Sequence, residues 1–291
     1  MNAVQLLATA NPVFFYFAIG LLGLVVGSFL NVVIYRLPIM MQRQWRQQCE
    51  LLLKENSKFE EEPSYNLVVP RSQCPKCGHL ITAIENIPVI SYLFQRGRCR
   101  DCGSRISPRY PLIEILSSSI ALITAWKLGP NAQLLPALFL VWALIALTFI
   151  DIDQQLLPDS ITLPLIWAGL LLNMVNLYTS LPSAVLGAVS GYLFLWIVYQ
   201  TFKLFTGKEG MGFGDFKLLA LFGAWLGWQN LPVIILLSSL LGAFIGILLI
   251  VLQGRDRQQP IPFGPYLCLA GWIALLWGDE LTLNYFRILS G

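Results

Sequence analysis

Long apolar runs alternate with short polar breaks along this chain. Eight runs stand out, at residues 13–35, 111–128, 133–150, 160–178, 183–203, 216–230, 231–252 and 262–278. Crossing ~30 Å of hydrocarbon takes about 20 helical residues, and most of these runs approach that length. The pattern predicts an all-α polytopic integral membrane protein with about eight transmembrane helices. The sixth run is short and Pro232 separates it from the seventh, so a count of seven stays open. The first run does not read as a cleaved signal peptide. No Lys or Arg precedes it, it exceeds the usual ~7–15 apolar residues, and Arg36 follows it directly.

Composition agrees with the pattern. Of 291 residues, 56% are hydrophobic and 12% charged, with a mean hydropathy of +0.65. Soluble domains carry about 25% charged residues, so that class is excluded. The charges are placed asymmetrically. Residues 1–35 have no Lys or Arg, whereas residues 36–110 hold twelve of the nineteen. With eight spans, Lys203, Lys208, Lys217, Arg255 and Arg257 fall on that same side, leaving Lys127 and Arg287 opposite. The positive-inside rule then makes the basic face cytoplasmic and both termini external. The net charge of +3 is a topology signal. Residues 36–110 interleave seven acids with their cations, so no nucleic-acid-binding stripe results. Four regions follow: a first span at 1–35, a cytoplasmic loop domain at 36–110, a transmembrane core at 111–278 and a short tail at 279–291.

The loop domain has two halves. Its first, running from Met40 to Asn66, is charged and partly amphipathic. Trp45, Cys49, Leu52 and Leu53 recur at helical spacing, which predicts a solvated or surface-lying helix. Its second half carries CPKCG at Cys74 and Cys77, then CRDCG at Cys99 and Cys102. This is close to zinc-ribbon spacing, and the glycine after each pair permits a tight turn. On a cytoplasmic face, metal outranks disulfide. Four cysteines would close a tetrahedral shell around a structural zinc, leaving no position for a reactive water. His79, the only histidine, is an alternative ligand or a spare surface residue. Cys49 and Cys268 lack partners, and Cys268 reads as core packing.

Ionisable residues beside hydrocarbon are costly, by about 2.5–3.5 kcal/mol at a helix centre. Asp151 closes the third run and Asp215 ends the turn GMGFGD before the sixth, both at the cytoplasmic side. Held close, two such carboxylates share a proton and serve as an aspartic-protease dyad. Asp153 competes with Asp151, and Asp159 reads as the N-cap of the fourth span. Asp215 would also serve as a helix cap, but Gly210, Gly212 and Gly214 exceed what capping needs. They allow close backbone approach by another element or an extended peptide. Glu114 reads as an ion-pair partner of Arg109 or Arg105. In GSFLN, Gly27 packs helices, and Asn31 either joins that packing or contacts a substrate. Neither HExxH nor GxSxG occurs.

GMGFGDFKLL, FIDIDQQLLPD, GSFLNVVIYRLP, the paired CxxC knuckles around ENIPVISYL, RYPLIE and PIPFGPY together resemble the type IV prepilin peptidases. That family is also called type 4 prepilin leader peptidase/N-methyltransferase, and the likeness runs from about residue 20 to 278. It implies cleavage of the leader from type IV prepilins and pseudopilins after a glycine, at the cytoplasmic face of a bacterial inner membrane. It also implies methylation of the new terminal amine from S-adenosylmethionine. By resemblance the catalytic pair is Asp151 and Asp215, and the tetrad is Cys74, Cys77, Cys99 and Cys102. No GxGxxG follows a strand, so methylation rests on the likeness alone. Glu85, Asn86 and Gly97 are candidate contributors to the methyl-donor site, and equally a loop carboxylate, a turn asparagine and a turn glycine. A proton-coupled transporter using the two aspartates as a relay is the rival from another class. It would favour midplane acids and two repeated halves, and neither is visible. A binding or assembly module with inert acids is the other.

Overall fold

The computed structural model describes residues 10–53, 65–253 and 262–290. Arg255, Arg257, residues 54–64 of the loop, and Pro260 and Ile261 of PIPFGPY lie outside the described residues. In chain order the helices are α1 (Pro12–Leu53), α2 (Ile90–Phe94), α3 (Arg109–Leu128), α4 (Leu134–Gln154), α5 (Asp159–Asn173), α6 (Leu181–Thr206), α7 (Phe213–Leu226), α8 (Leu231–Gln253) and α9 (Gly264–Ser290). Among the described residues six helices are long and apolar enough to cross a membrane, and the chain is a multi-pass membrane protein. The expected count of eight is not confirmed by length alone. The runs at 160–178 and 216–230 become α5 and α7, of 15 and 14 residues. At 1.5 Å per residue these reach only about 21–23 Å. α7 tolerates this because protein surrounds it, so its ends need no lipid-spanning length.

Two helices outrun the apolar pattern. α1 continues through residues 36–53 without a break, where a separate surface helix was expected. Its extension QRQWRQQCELLL consists mostly of strong helix formers, which carries the helix past Pro38. α9 likewise continues through residues 279–290, the stretch read as a tail.

The chain forms two compact units, Met1–Trp126 and Lys127–Gly291. In the first, α1 and α3 meet through small residues. A methyl group on Gly23 would lie 2.6 Å from the Ser118 Cα, and one on Gly27 would lie 2.7 Å from the Glu114 Cα. The closeness lets Ser117 Oγ donate to the Gly23 carbonyl at 2.7 Å and Ser118 Oγ to that of Gly20 at 2.9 Å. Asn31 Nδ2 donates to the carbonyls of Gly27 and Tyr110, both at 3.2 Å. The asparagine is therefore spent on helix packing.

In the second unit α7 is the central element, packed by α5, α6 and α9. From Phe216 to Leu226 only Lys217 is not buried. Gly187 of α6 and Gly223 of α7 bring the two backbones into direct contact, with no room for a Cβ on either. At the far end, buried Asn173 of α5 uses both sides of its amide. Nδ2 donates to the carbonyls of Ala224 and Trp225, and Oδ1 accepts the amides of Tyr178 and Thr179. This satisfies α7 carbonyls that the turn at Gly227 leaves without helical partners.

Gly223→Val should therefore part α6 from α7 and cost about 1–3 kcal/mol or more, as overpacking does. Gly20→Ala, whose new methyl meets Leu122 at an ordinary 3.5 Å, should change stability by no more than about 0.5 kcal/mol. Thermal unfolding in one detergent compares the two.

Candidate active site and metal centre

Asp151 lies in the last turn of α4, where Gln155, in the left-handed region at φ 52°, caps the helix by donating to the Asp151 carbonyl at 2.9 Å. Asp215 lies in the first turn of α7, whose N-terminal amides favour a carboxylate. Both side chains are buried, the residues being 5% and 7% exposed, and each is within electrostatic reach of the other. Sixty-four positions apart, they come together in one unit. Asp153 is exposed.

A third segment completes the site. The Gly264 amide, first in α9, donates to Asp151 Oδ2 at 3.1 Å in a buried bond. A methyl group on Gly264 would sit 2.5 Å from that same oxygen. Leu157, in the turn after α4, fills the space between Gly264 and Gly214, and a methyl on Gly214 would lie 2.8 Å from its Cβ. Leu157 thus wedges the segment after Asp151 against the one before Asp215. Lys217 Nζ and the Asp159 carboxylate, 2.6 and 2.7 Å apart, join α7 to α5 on the exposed side. Asp159 is the first residue of α5 and Pro158 its cap, so the expected N-cap role gives way to this ion pair. Cys268, one turn into α9, is buried beside Thr148 and within reach of both aspartates.

Sequence reasoning missed Gly264, Leu157 and Lys217 as members of this site. The glycine between two prolines in PIPFGPY was the available signal. Leu157 carried none, since a leucine at the end of an apolar run looks like any other.

The first unit holds the cysteines. Each CxxC forms the same turn. Cys74 N–H donates to the His79 carbonyl and Gly78 N–H to that of Cys74; Cys99 and Gly103 repeat this with Ser104 and Cys99. Gly78 and Gly103 sit at φ 74° and 65°, which glycine adopts without strain. The four sulfurs lie within 4.8 Å of one another, with Cys74–Cys102 and Cys77–Cys99 both at 3.9 Å. Tetrahedral zinc with ~2.3 Å bonds needs sulfurs about 3.8 Å apart, so the cluster is compatible with that ion. The amides of Cys77 and Lys76 hold the Cys74 thiol down at about 6. The His79 amide favours the Cys77 thiolate, yet desolvation and the three neighbouring sulfurs push that thiol up to about 12. Four thiols this close ionise together only around a cation.

His79 is neither a ligand nor spare. Its Nε2 meets both Glu85 oxygens at 3.2 Å and its Nδ1 meets Asp101 Oδ2 at 2.7 Å, bridging the two knuckles. Glu85 also accepts Thr82 N–H at 2.9 Å and Oγ1–H at 2.8 Å. Those Thr82 donors, ahead of His79, hold Glu85 at about 2. Glu85, then Asp101, raise His79 above its ordinary value. Asn86 is exposed, while Gly97, at φ 65°, is buried against the Tyr92 ring. A cavity of about 640 Å³ opens beside the knuckles, lined by Ile84, Glu85, Ile87, Phe94, Arg98 and Arg100 among others. Glu85 is the one carboxylate among these walls, with Arg98 and Arg100 beside it. Of the three candidates only Glu85 lines the cavity.

Residues 21–128 match the bacterial peptidase A24 N-terminal domain, and residues 138–247 match the type IV leader peptidase family. The chain is 56% identical over 279 residues to the prepilin leader peptidase/N-methyltransferase of Aeromonas hydrophila, covering 96% of each. It belongs to the type IV leader peptidase family. Relatives of the same name from Pseudomonas aeruginosa (52% identity, 96% of each chain) and Dichelobacter nodosus (48%, covering 97% of this chain and 98% of the relative) extend the likeness across nearly the full length. No solved structure matches.

Elemental analysis of protein purified without chelator should give about one zinc per chain, and Cys99→Ser should release most of it. The single histidine makes a second check simple. Glu85→Gln should lower the His79 midpoint in an NMR titration, because the partner that raises it is neutralised. In the parent chain, the His79 contribution to loop stability is complete below its ordinary value of 6.5 and lost as pH rises through the raised one. The Glu85 contribution is complete above about 4.5 and lost as pH falls through about 2.

Proposed function

We propose that this chain is a bifunctional prepilin leader peptidase and N-methyltransferase, with Asp151 and Asp215 as the peptidase pair. The observation that carries the proposal is the burial of both carboxylates within reach of each other, with a backbone amide fixed on one. Like charges this close disfavour double ionisation, so the pair holds one proton between them. The ionised member takes a proton from the attacking water, and the protonated member donates to the scissile carbonyl oxygen. Collapse of the tetrahedral adduct breaks the C–N bond, and the departing amine takes up a proton.

The substrates are type IV prepilins and secretion pseudopilins. Their apolar helix lies in the bilayer and their leader lies in the cytoplasm, so only the junction between them reaches aspartates placed at helix ends. The inner membrane is the site, with the dyad on the cytoplasmic face. The basic residues support that orientation. The amine freed by cleavage is the methyl acceptor, and S-adenosylmethionine supplies an electrophilic methyl group when bound. Glu85, Asn86 and Gly97 contribute its site: Glu85 offers a carboxylate held ionised, Asn86 offers an amide, and Gly97 sets the turn. The four cysteines hold a structural zinc that ties the loop together and takes no part in hydrolysis.

Asp151→Asn and Asp215→Asn should each lower leader cleavage by about 10²–10⁴-fold, the range for losing general acid or base catalysis. The chain is reconstituted with a prepilin and the product mass is followed. Full cleavage by either variant would refute the assignment. Gly264→Ala should lower kcat with little change in KM, since its methyl displaces a catalytic oxygen and touches no substrate.

A further inference from the structure

The segment Ile84–Phe94 presents a ridge of apolar side chains that no described residue of its own unit covers. It comprises a 3-10 turn over Ile84–Asn86 and the short α2, and neither contains a buried residue. Ile84, Leu93 and Phe94 are 77%, 67% and 85% exposed, with Ile87 and Ile90 also exposed between them. Arg96, Arg98 and Arg100 follow the ridge at alternate positions, and all three are exposed. Apolar side chains edged by arginines are the composition of an interfacial element.

Two contacts fix the depth of this segment. The Val89 amide donates to Glu114 Oε2 at 2.7 Å. Glu114 is five residues into α3, about 7.5 Å along a helix that enters the apolar layer after Arg109. The Arg36 guanidinium, where α1 leaves its apolar run, donates to the Asn66 carbonyl at 3.0 Å. Asn66 and Val89 of the loop are thus tied to the ends of α1's apolar run and of α3. The tie at Val89 is specific. This β-branched residue sits at φ 59°, ψ −48°, a strained conformation that persists only where its surroundings impose it.

We propose that Ile84–Phe94 lies on the chain's own bilayer, its apolar side chains among the acyl-chain ends and Arg96, Arg98 and Arg100 on anionic headgroups. Charge complementarity selects anionic lipid, because basic side chains beside such a surface are drawn to its headgroups. The ridge holds the zinc-knuckle domain flat against the membrane, at the depth where a substrate's leader meets its helix. That last role rests on the proposed function; the seating itself does not.

The test uses the full chain with 4-(trifluoromethyl)phenylalanine at position 94, in nanodiscs containing phosphatidylglycerol, with neither prepilin nor methyl donor added. The fluorine signal should be relaxed strongly by a nitroxide on the lipid chain and weakly by a water-soluble gadolinium chelate. The reverse pattern, or lipid contact that appears only when a prepilin is added, would overturn the proposal. A triple variant, R96Q/R98Q/R100Q, should reduce the lipid effect several-fold. Unchanged contact in that variant would overturn the role given to the arginines. Because no activity is read, failure of the peptidase assignment leaves this result standing.

Discussion

Two carboxyl side chains, Asp151 and Asp215, buried within reach of each other, are the arrangement around which the second unit is built. A carboxylate at that depth is costly alone, and two close together repel. The structure answers with backbone contacts where long side chains would be hard to place. The Gly264 amide reaches Asp151 because glycine leaves that oxygen room, and Leu157 lies against Gly214 for the same reason. α7, buried nearly throughout, is held by a glycine contact with α6 and by Asn173 at its far end. Slack at any of these points would let water in or let the acids part.

The first unit follows a different logic. Among the described residues its loop contains almost no large buried apolar side chains, and its tightest links are four sulfurs and a histidine held between two carboxylates. The cysteine cluster is compatible with a metal ion, which would supply what a small core lacks. The same poverty of burial leaves Ile84–Phe94 uncovered, and a membrane face is a medium in which such a ridge is stable. Helix packing through Gly23 and Gly27 lets α1 and α3 carry this loop as a pair.

Much of this was legible in the residues, for identifiable reasons. Hydrophobic runs announce helices, and two CxxC pairs announce a tetrad, since each signal is local. The two buried acids, Asp151 and Asp215, were also conspicuous, because an aspartate at the end of an apolar run stands out. What was not legible depended on tertiary context. The eight expected spans became six long helices and two short ones, because burial inside protein removes the length requirement from α7. His79 looked dispensable, since Asp101 and Glu85 reach it only once the knuckles fold. Leu157 and Gly264 acquire their roles from the 107 positions separating them being closed into one contact.

The most direct test of the central claim is the proximity of the two acids. A variant carrying Asp151→Cys, Asp215→Cys and Cys268→Ala, in native membranes, is treated with a short methanethiosulfonate cross-linker, and its peptides are weighed. The account predicts one cross-linked species joining the end of α4 to the start of α7. Independent labelling at both positions, with no linked peptide, would contradict it.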